Sequence, residues 1–101
     1  MATVPITLAV SSGGITVTPS SASANRGDLI RWTLTGADNL TISFPNKTPF
    51  DLQQLTVAGD QIERGILANA GTTGYGYVVA AVVNGQQYVG PPPMEPEIIV
   101  M

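Results

Sequence analysis

The sequence predicts an all-β protein: an antiparallel Greek-key β-sandwich of seven to eight short strands, forming one domain over residues 1–101. Three observations carry this. Short runs rich in Val, Ile, Leu and Thr recur along the chain, turn residues punctuate them at even spacing, and no segment sustains a helical period. A chain of 101 residues buries enough surface for one core without disulfide staples.

The elements follow in order. Val4, Ile6, Leu8 and Val10 alternate with Pro5, Thr7 and Ala9, the period-2 pattern of a half-buried strand. Pro5 cannot donate to a ladder, which places the start of this strand at a sheet edge. Ser11 to Gly14 turns the chain into Ile15–Thr18, whose β-branched run is a second strand. Pro19 to Asn25 reads as a Ser/Ala loop. Gly27-Asp28 is a turn feeding Leu29–Leu34, with Ile30, Trp32 and Leu34 on one face and Arg31 and Thr33 on the other. After a turn over 36–39, Leu40, Ile42 and Phe44 form the apolar face of the next strand, and Pro45 to Pro49 ends it. Phe50–Val57 fits neither period cleanly. Gln61–Leu67 admits a strand or one helical turn, and a strand is expected. Tyr75–Val83 is a strong strand with Tyr75, Tyr77, Val79 and Ala81 on one face. Asn84-Gly85 follows, and both residues accept the positive φ of a type I′ hairpin turn. Gln86–Val89 returns, Pro91-Pro92-Pro93 is a stiff extended connector, and Glu97–Val100 closes the chain.

Composition removes whole classes of function. There is no Cys and no His, so disulfides, thiolate metal sites, ordinary zinc or haem ligation and triad chemistry have no residues to use. The net charge is −3, and the four basic residues, Arg26, Arg31, Lys47 and Arg64, are scattered, which argues against a nucleic-acid partner. No apolar stretch approaches the ~20 residues of a membrane span. The N-terminus has no basic region or uninterrupted apolar run, so no signal peptide is expected; the chain reads as cytoplasmic, or as the mature form of an exported protein. Charged residues are only 11% of the chain, against about 25% in an average domain. Such a thin coat of charge suits exported β-domains and subunits that bury surface against partners, and is equally compatible with an ordinary soluble protein.

The order of features resembles the cupredoxin family. Members show an apolar strand ending in Pro, a Gly-Asp turn, a Val/Ile-x-Trp strand and then a Phe; here Pro19, Gly27-Asp28, Ile30-Arg31-Trp32 and Phe44 stand in that order. The Gly-x-Tyr-x-Tyr pattern of the family looks like the segment Gly71 to Tyr77, with one extra residue. The resemblance covers roughly residues 15 to 83, and its motifs are structural. It implies a type 1 copper site with a His near Leu40, a Cys near Val79, a second His in the 80–93 loop, and an axial Met that Met94 matches. Such copper needs two imidazoles and a thiolate, so the resemblance implies a cupredoxin-like frame without its metal and without a cofactor. An immunoglobulin-like sandwich is the other architecture the strands allow. The ending, Met94 to Val100, looks like that of small uncharacterised bacterial β-proteins.

Several motifs have two readings. Arg26-Gly27-Asp28 matches the integrin-binding tripeptide, but its Gly-Asp is the turn the fold needs before the Trp strand. Asn39-Leu40-Thr41 and Asn46-Lys47-Thr48 are glycosylation sequons only in a secreted eukaryotic protein. The seven carboxylates, Asp28, Asp38, Asp51, Asp60, Glu63, Glu95 and Glu97, show no Ca²⁺-loop spacing and read as solubilising. Trp32, Tyr75 and Tyr77 form either a core or, if exposed, an aromatic platform for a carbohydrate or small ligand.

No enzyme is expected. The sequence favours a non-catalytic structural or protein-interaction module, with a carbohydrate- or small-ligand-binding module as the alternative. Residues 78–83 are six consecutive apolar residues, which cannot alternate with a wetted face. The core covers one side of that strand. A loop such as Pro91–Pro93, or a second subunit in a homodimer packed on Val78, Ala80 and Val82, is expected to cover the other.

Overall fold

In a computed structural model, residues 2–11, 14–89 and 96–101 are described, and among them there is no helix. Eleven strands form three sheets: β1 (Thr3–Ser11), β2 (Gly14–Thr18), β3 (Ser21–Ala24), β4 (Leu29–Thr35), β5 (Asn39–Ser43), β6 (Gln54–Ala58), β7 (Gln61–Gly65), β8 (Gly74–Gly76), β9 (Val78–Val83), β10 (Gln86–Val89) and β11 (Glu97–Val100). The strand orders are β2-β1-β4-β7, β10-β9-β5-β6 and β3-β11-β8.

The alternation seen in the sequence sets which side of each strand is buried. On β4, Ile30, Trp32 and Leu34 point inward; on β1, Ile6 and Leu8 do so; on β5 and β6, Leu40, Ile42, Leu55 and Val57 do so. Side chains from all three sheets meet in one contiguous apolar cluster. Each fully buried Leu, Ile, Val or Phe there contributes roughly 1.5–3 kcal/mol of transfer free energy, so the two-residue period is the main local determinant of the fold.

The arrangement departs from the expected antiparallel one in two places. β1 runs parallel to β4, with Ile6 opposite Trp32 and Leu8 opposite Leu34, and β3 runs parallel to β11, with Ala22 opposite Ile98. Both sheets are therefore mixed. Such pairs need crossovers rather than tight hairpins, a connection that alternation does not encode. β1 is an inner strand from Thr7 to Ala9, while its start lies at an edge, as Pro5 implies. Pro5 is accommodated because β2 pairs only with Thr7–Ser11, leaving the Pro5 end of β1 with a neighbour on the β4 side alone.

Three further local differences have physical causes. β3 lies within the expected Ser/Ala loop; Ala22 and Ala24 are buried and Ser21 and Ser23 exposed, a strand alternation in residues of weak β-propensity. The expected Tyr75–Val83 strand is divided at Tyr77, whose N–H donates to the Pro96 carbonyl at 2.9 Å instead of continuing one ladder. The ambiguous 50–57 segment holds β6 only from Gln54; before it, Phe50 is buried and Leu52 exposed. Asn84 and Gly85 adopt φ of 52° and 80°, the paired positive values that the hairpin reading requires.

Candidate functional site

The positions that the cupredoxin resemblance assigns to copper ligands are apolar and buried. Leu40 on β5 and Val79 on β9 are each 1% exposed. Ile42 stands directly opposite Val79 across the β5–β9 ladder, and Leu40 is opposite Val57 on β6. The inward face here is hydrocarbon. Met94 lies outside the described residues. No group of three or more Asp or Glu among the described residues is close enough to hold a metal ion.

Trp32, Tyr75 and Tyr77, which the sequence leaves as core or ligand platform, lie in the interior, with exposures of 0%, 5% and 0%. Trp32 meets Phe50 edge-on at 5.7 Å and Tyr77 at 6.0 Å; Phe44 meets the same two rings at 5.7 and 5.3 Å. The four rings close a cycle, each contact in the favourable tilted or edge-to-face range. The Tyr75 hydroxyl donates to the Gly71 carbonyl at 2.8 Å. Two polar atoms in the cycle, the Trp32 Nε1 and the Tyr77 hydroxyl, are buried without a well-aligned hydrogen-bond partner among the described residues. Burial pushes the Tyr77 phenol up to about 12, the neighbouring Trp32 indole N–H opposing this in part. These rings offer no face to a sugar.

The Arg26-Gly27-Asp28 segment is tied into the fold. Arg26 Nε donates to the Ala70 carbonyl at 2.6 Å, and Gly27, at φ 85°, donates its N–H to Ile66 at 3.0 Å. Asp28 accepts the N–H groups of Ala2 at 3.0 Å and Asn25 at 2.9 Å, and these two bonds hold its carboxyl below the usual carboxylate range. Among the other carboxylates, Glu63 pairs with Arg31 across the β4–β7 ladder at 2.6 Å, and Glu97 accepts from the Ser21 hydroxyl at 3.4 Å. Asp38, Asp51 and Asp60 are exposed on turns; Glu95 lies outside the described residues. Asn39 and Asn46, the sequon asparagines, are both exposed.

Val78, Ala80 and Val82 occupy the outward side of β9, where Val78 is 42% and Val82 60% exposed and Ala80 half-buried. Val79 and Ala81 face the core. Pro91–Pro93, expected as one cover for the outer side, lies outside the described residues. Val89 of β10, 55% exposed, is opposite Ala80, and Thr41 of β5 flanks Ala80 on the other side. None of β5, β6, β9 or β10 contains a charged residue. The signal was present as four strands without Asp, Glu, Lys or Arg, but only the pairing shows that they form one sheet.

Shallow depressions border this sheet, of which two are the larger among the described residues. One of about 360 Å³ is lined by Gly36, Ala37, Asp38 and residues 82–84; another of about 250 Å³ is lined by Asn46, Lys47, Thr73 and residues 74–76. Each has one charged side chain and no partner of acid–base character, an arrangement suited to contact rather than chemistry. Among the described residues, no helix is long and apolar enough to cross a membrane. No family model matches the chain, and no curated protein matches it.

Proposed function

We propose that this chain is a non-catalytic structural or protein-interaction module on a metal-free, cupredoxin-like β-sandwich. The observation that carries the functional part is the uncharged, partly apolar outer face of the β10-β9-β5-β6 sheet, with Val78, Val82 and Val89 open to solvent. Apolar surface grouped on one face favours macromolecular contact, because its removal from water is favourable and needs no charged partner.

The fold part draws on the strand order. β8 and β9 are separated by Tyr77 alone, so the β3-β11-β8 and β10-β9-β5-β6 sheets adjoin and act as one layer against β2-β1-β4-β7, with the shared core between them. Buried Leu40 and Val79 support the metal-free reading: hydrocarbon stands where imidazole and thiolate would be required. The burial of Trp32, Tyr75 and Tyr77 counts against the carbohydrate-platform alternative.

In-cell cross-linking tests the functional reading. A photo-activatable amino acid replacing Val82 is expected to form a covalent adduct with a polypeptide, whereas the same group replacing Thr7, on the outer side of the other four-stranded sheet, is not. Absence of any adduct at position 82 would refute an interaction role for this face. A stoichiometric copper isotherm with a visible charge-transfer band would refute the metal-free frame.

A further inference from the structure

We infer that the partner of this face is a second copy of the same chain, packed sheet to sheet about a two-fold axis. The inference rests on the reading of the chain as an interaction module and specifies what the module binds. Three features of the face select a copy of itself.

The first is charge. The protein carries a net −3, yet the four strands of this sheet hold no Asp, Glu, Lys or Arg, while the β2-β1-β4-β7 sheet carries Arg31, Glu63 and Arg64 and the β3-β11-β8 sheet carries Glu97. A cationic partner would find nothing to bind on this face. Two anionic copies, repelled elsewhere, meet here without burying an unpaired charge. The second is shape. Ala80, the small residue at the centre, lies between Val78 and Val82 along β9 and between Val89 and Thr41 across the sheet. In an isologous contact, residue i touches j while j touches i, so the Val82 methyls of each copy seat over the Ala80 hollow of the other. The third is the remaining surface chemistry: hydroxyl and amide groups such as Ser43 and Gln87 both donate and accept, and therefore pair with their own kind.

The face is four strands wide and about five residues long, roughly 19 Å by 17 Å. Apposing two faces of that size removes roughly 650 Å² from water, below the usual range of stable interfaces, so a weak, reversible dimer in the millimolar range is expected.

Sedimentation equilibrium of the full chain, from micromolar to millimolar concentration, tests this. A monomer of 10.5 kDa should give way to twice that mass. Added salt should strengthen association, because it screens the repulsion between the two net-negative chains. Val82→Asp and Val89→Asp should each weaken the dimer at least about tenfold, roughly 1.4 kcal/mol, while Thr7→Asp leaves it unchanged. Both valines are largely exposed, and blue-shifted Trp32 emission confirms that the variants remain folded. A wild-type monomer throughout, a dimer indifferent to Val82→Asp, or a dimer that salt weakens would each overturn the inference. An environment-sensitive apolar dye then separates two failures. If the wild-type monomer binds dye and Val82→Asp does not, the face is open and serves another partner, so the module reading stands without self-association. If neither binds dye, the chain itself covers the face and both readings fall.

Discussion

The two four-stranded sheets are alike on their inward sides and unlike on their outward sides. Both feed alternating Ile, Leu and Val into one cluster, with Trp32 on β4 and Ile42 on β5 each 0% exposed. Outward, β2-β1-β4-β7 presents Thr7, Thr16, Thr18, Thr33 and Thr35 with the Arg31–Glu63 pair, a surface that water satisfies. β10-β9-β5-β6 presents Val78, Val82 and Val89 with uncharged polar neighbours. The inward sides are constrained by the need to fill a core, so they report the fold. The outward sides are free of that constraint, and their difference carries the functional information.

The comparison predicts that stability resides in the shared interior. Trp32→Ala, which removes a ring in contact with both Phe50 and Tyr77, should cost about 3–5 kcal/mol in urea unfolding, enough to unfold much of the population. A loss below about 1 kcal/mol would mean that the aromatic cycle does not hold the sheets together.

The second test uses the buried Tyr77 hydroxyl. Its native value is raised from 10.0 to about 12, so the unfolded chain releases this proton first as the pH climbs. Stability should be intact below pH 10 and fall between about pH 10 and 12, by about 2–3 kcal/mol in all. Tyr77→Phe should abolish that fall and be neutral or stabilising near pH 7, since the hydroxyl has no well-aligned hydrogen-bond partner among the described residues. Asp28 contributes with the opposite sign: its lowered value means stability that is present above the ordinary carboxylate range and lost as the pH falls.

Gly36 tests the turn between the sheets. It has φ of 86°, and a Cβ would fall on the Val10 carbonyl of β1, so Gly36→Ala should cost about 2 kcal/mol or more by thermal unfolding. The smallest expected effect is on the charged outer side: Arg31→Ala should cost less than about 1 kcal/mol, and less still in high salt, because the pair is exposed. A loss of several kcal/mol there would contradict the division between structural interior and replaceable exterior.

Most of the inward half of this molecule was legible in the sequence. Period-2 alternation identified the buried sides of β1, β4, β5 and β9, and Asn84-Gly85 identified its hairpin, because these signals are local. β3 was not legible: Ser-Ala-Ser-Ala has little preference for strand, and its ladder depends on Glu97–Val100 far along the chain. The break at Tyr77 is set by Pro96, which lies beyond the β9–β10 hairpin and so is not a local signal either. Of the candidate face, Val78, Ala80 and Val82 could be singled out from an unbroken apolar run, whereas Val89 and Thr41 joined them only through strand pairing.

The parallel pairing of β3 with β11 has a consequence for how the protein is made. Ser21 and Glu97 sit side by side although 76 residues separate them, and the β1–β4 pair likewise joins strands that are not consecutive. Closing so long a loop costs entropy before any contact repays it, which places the protein among slow folders of high contact order. On the ribosome, β3 emerges well ahead of β11, because 76 residues separate Ser21 from Glu97. Its Ser/Ala composition then acquires a purpose: a strand that must wait is safest when its side chains are too small and too polar to aggregate.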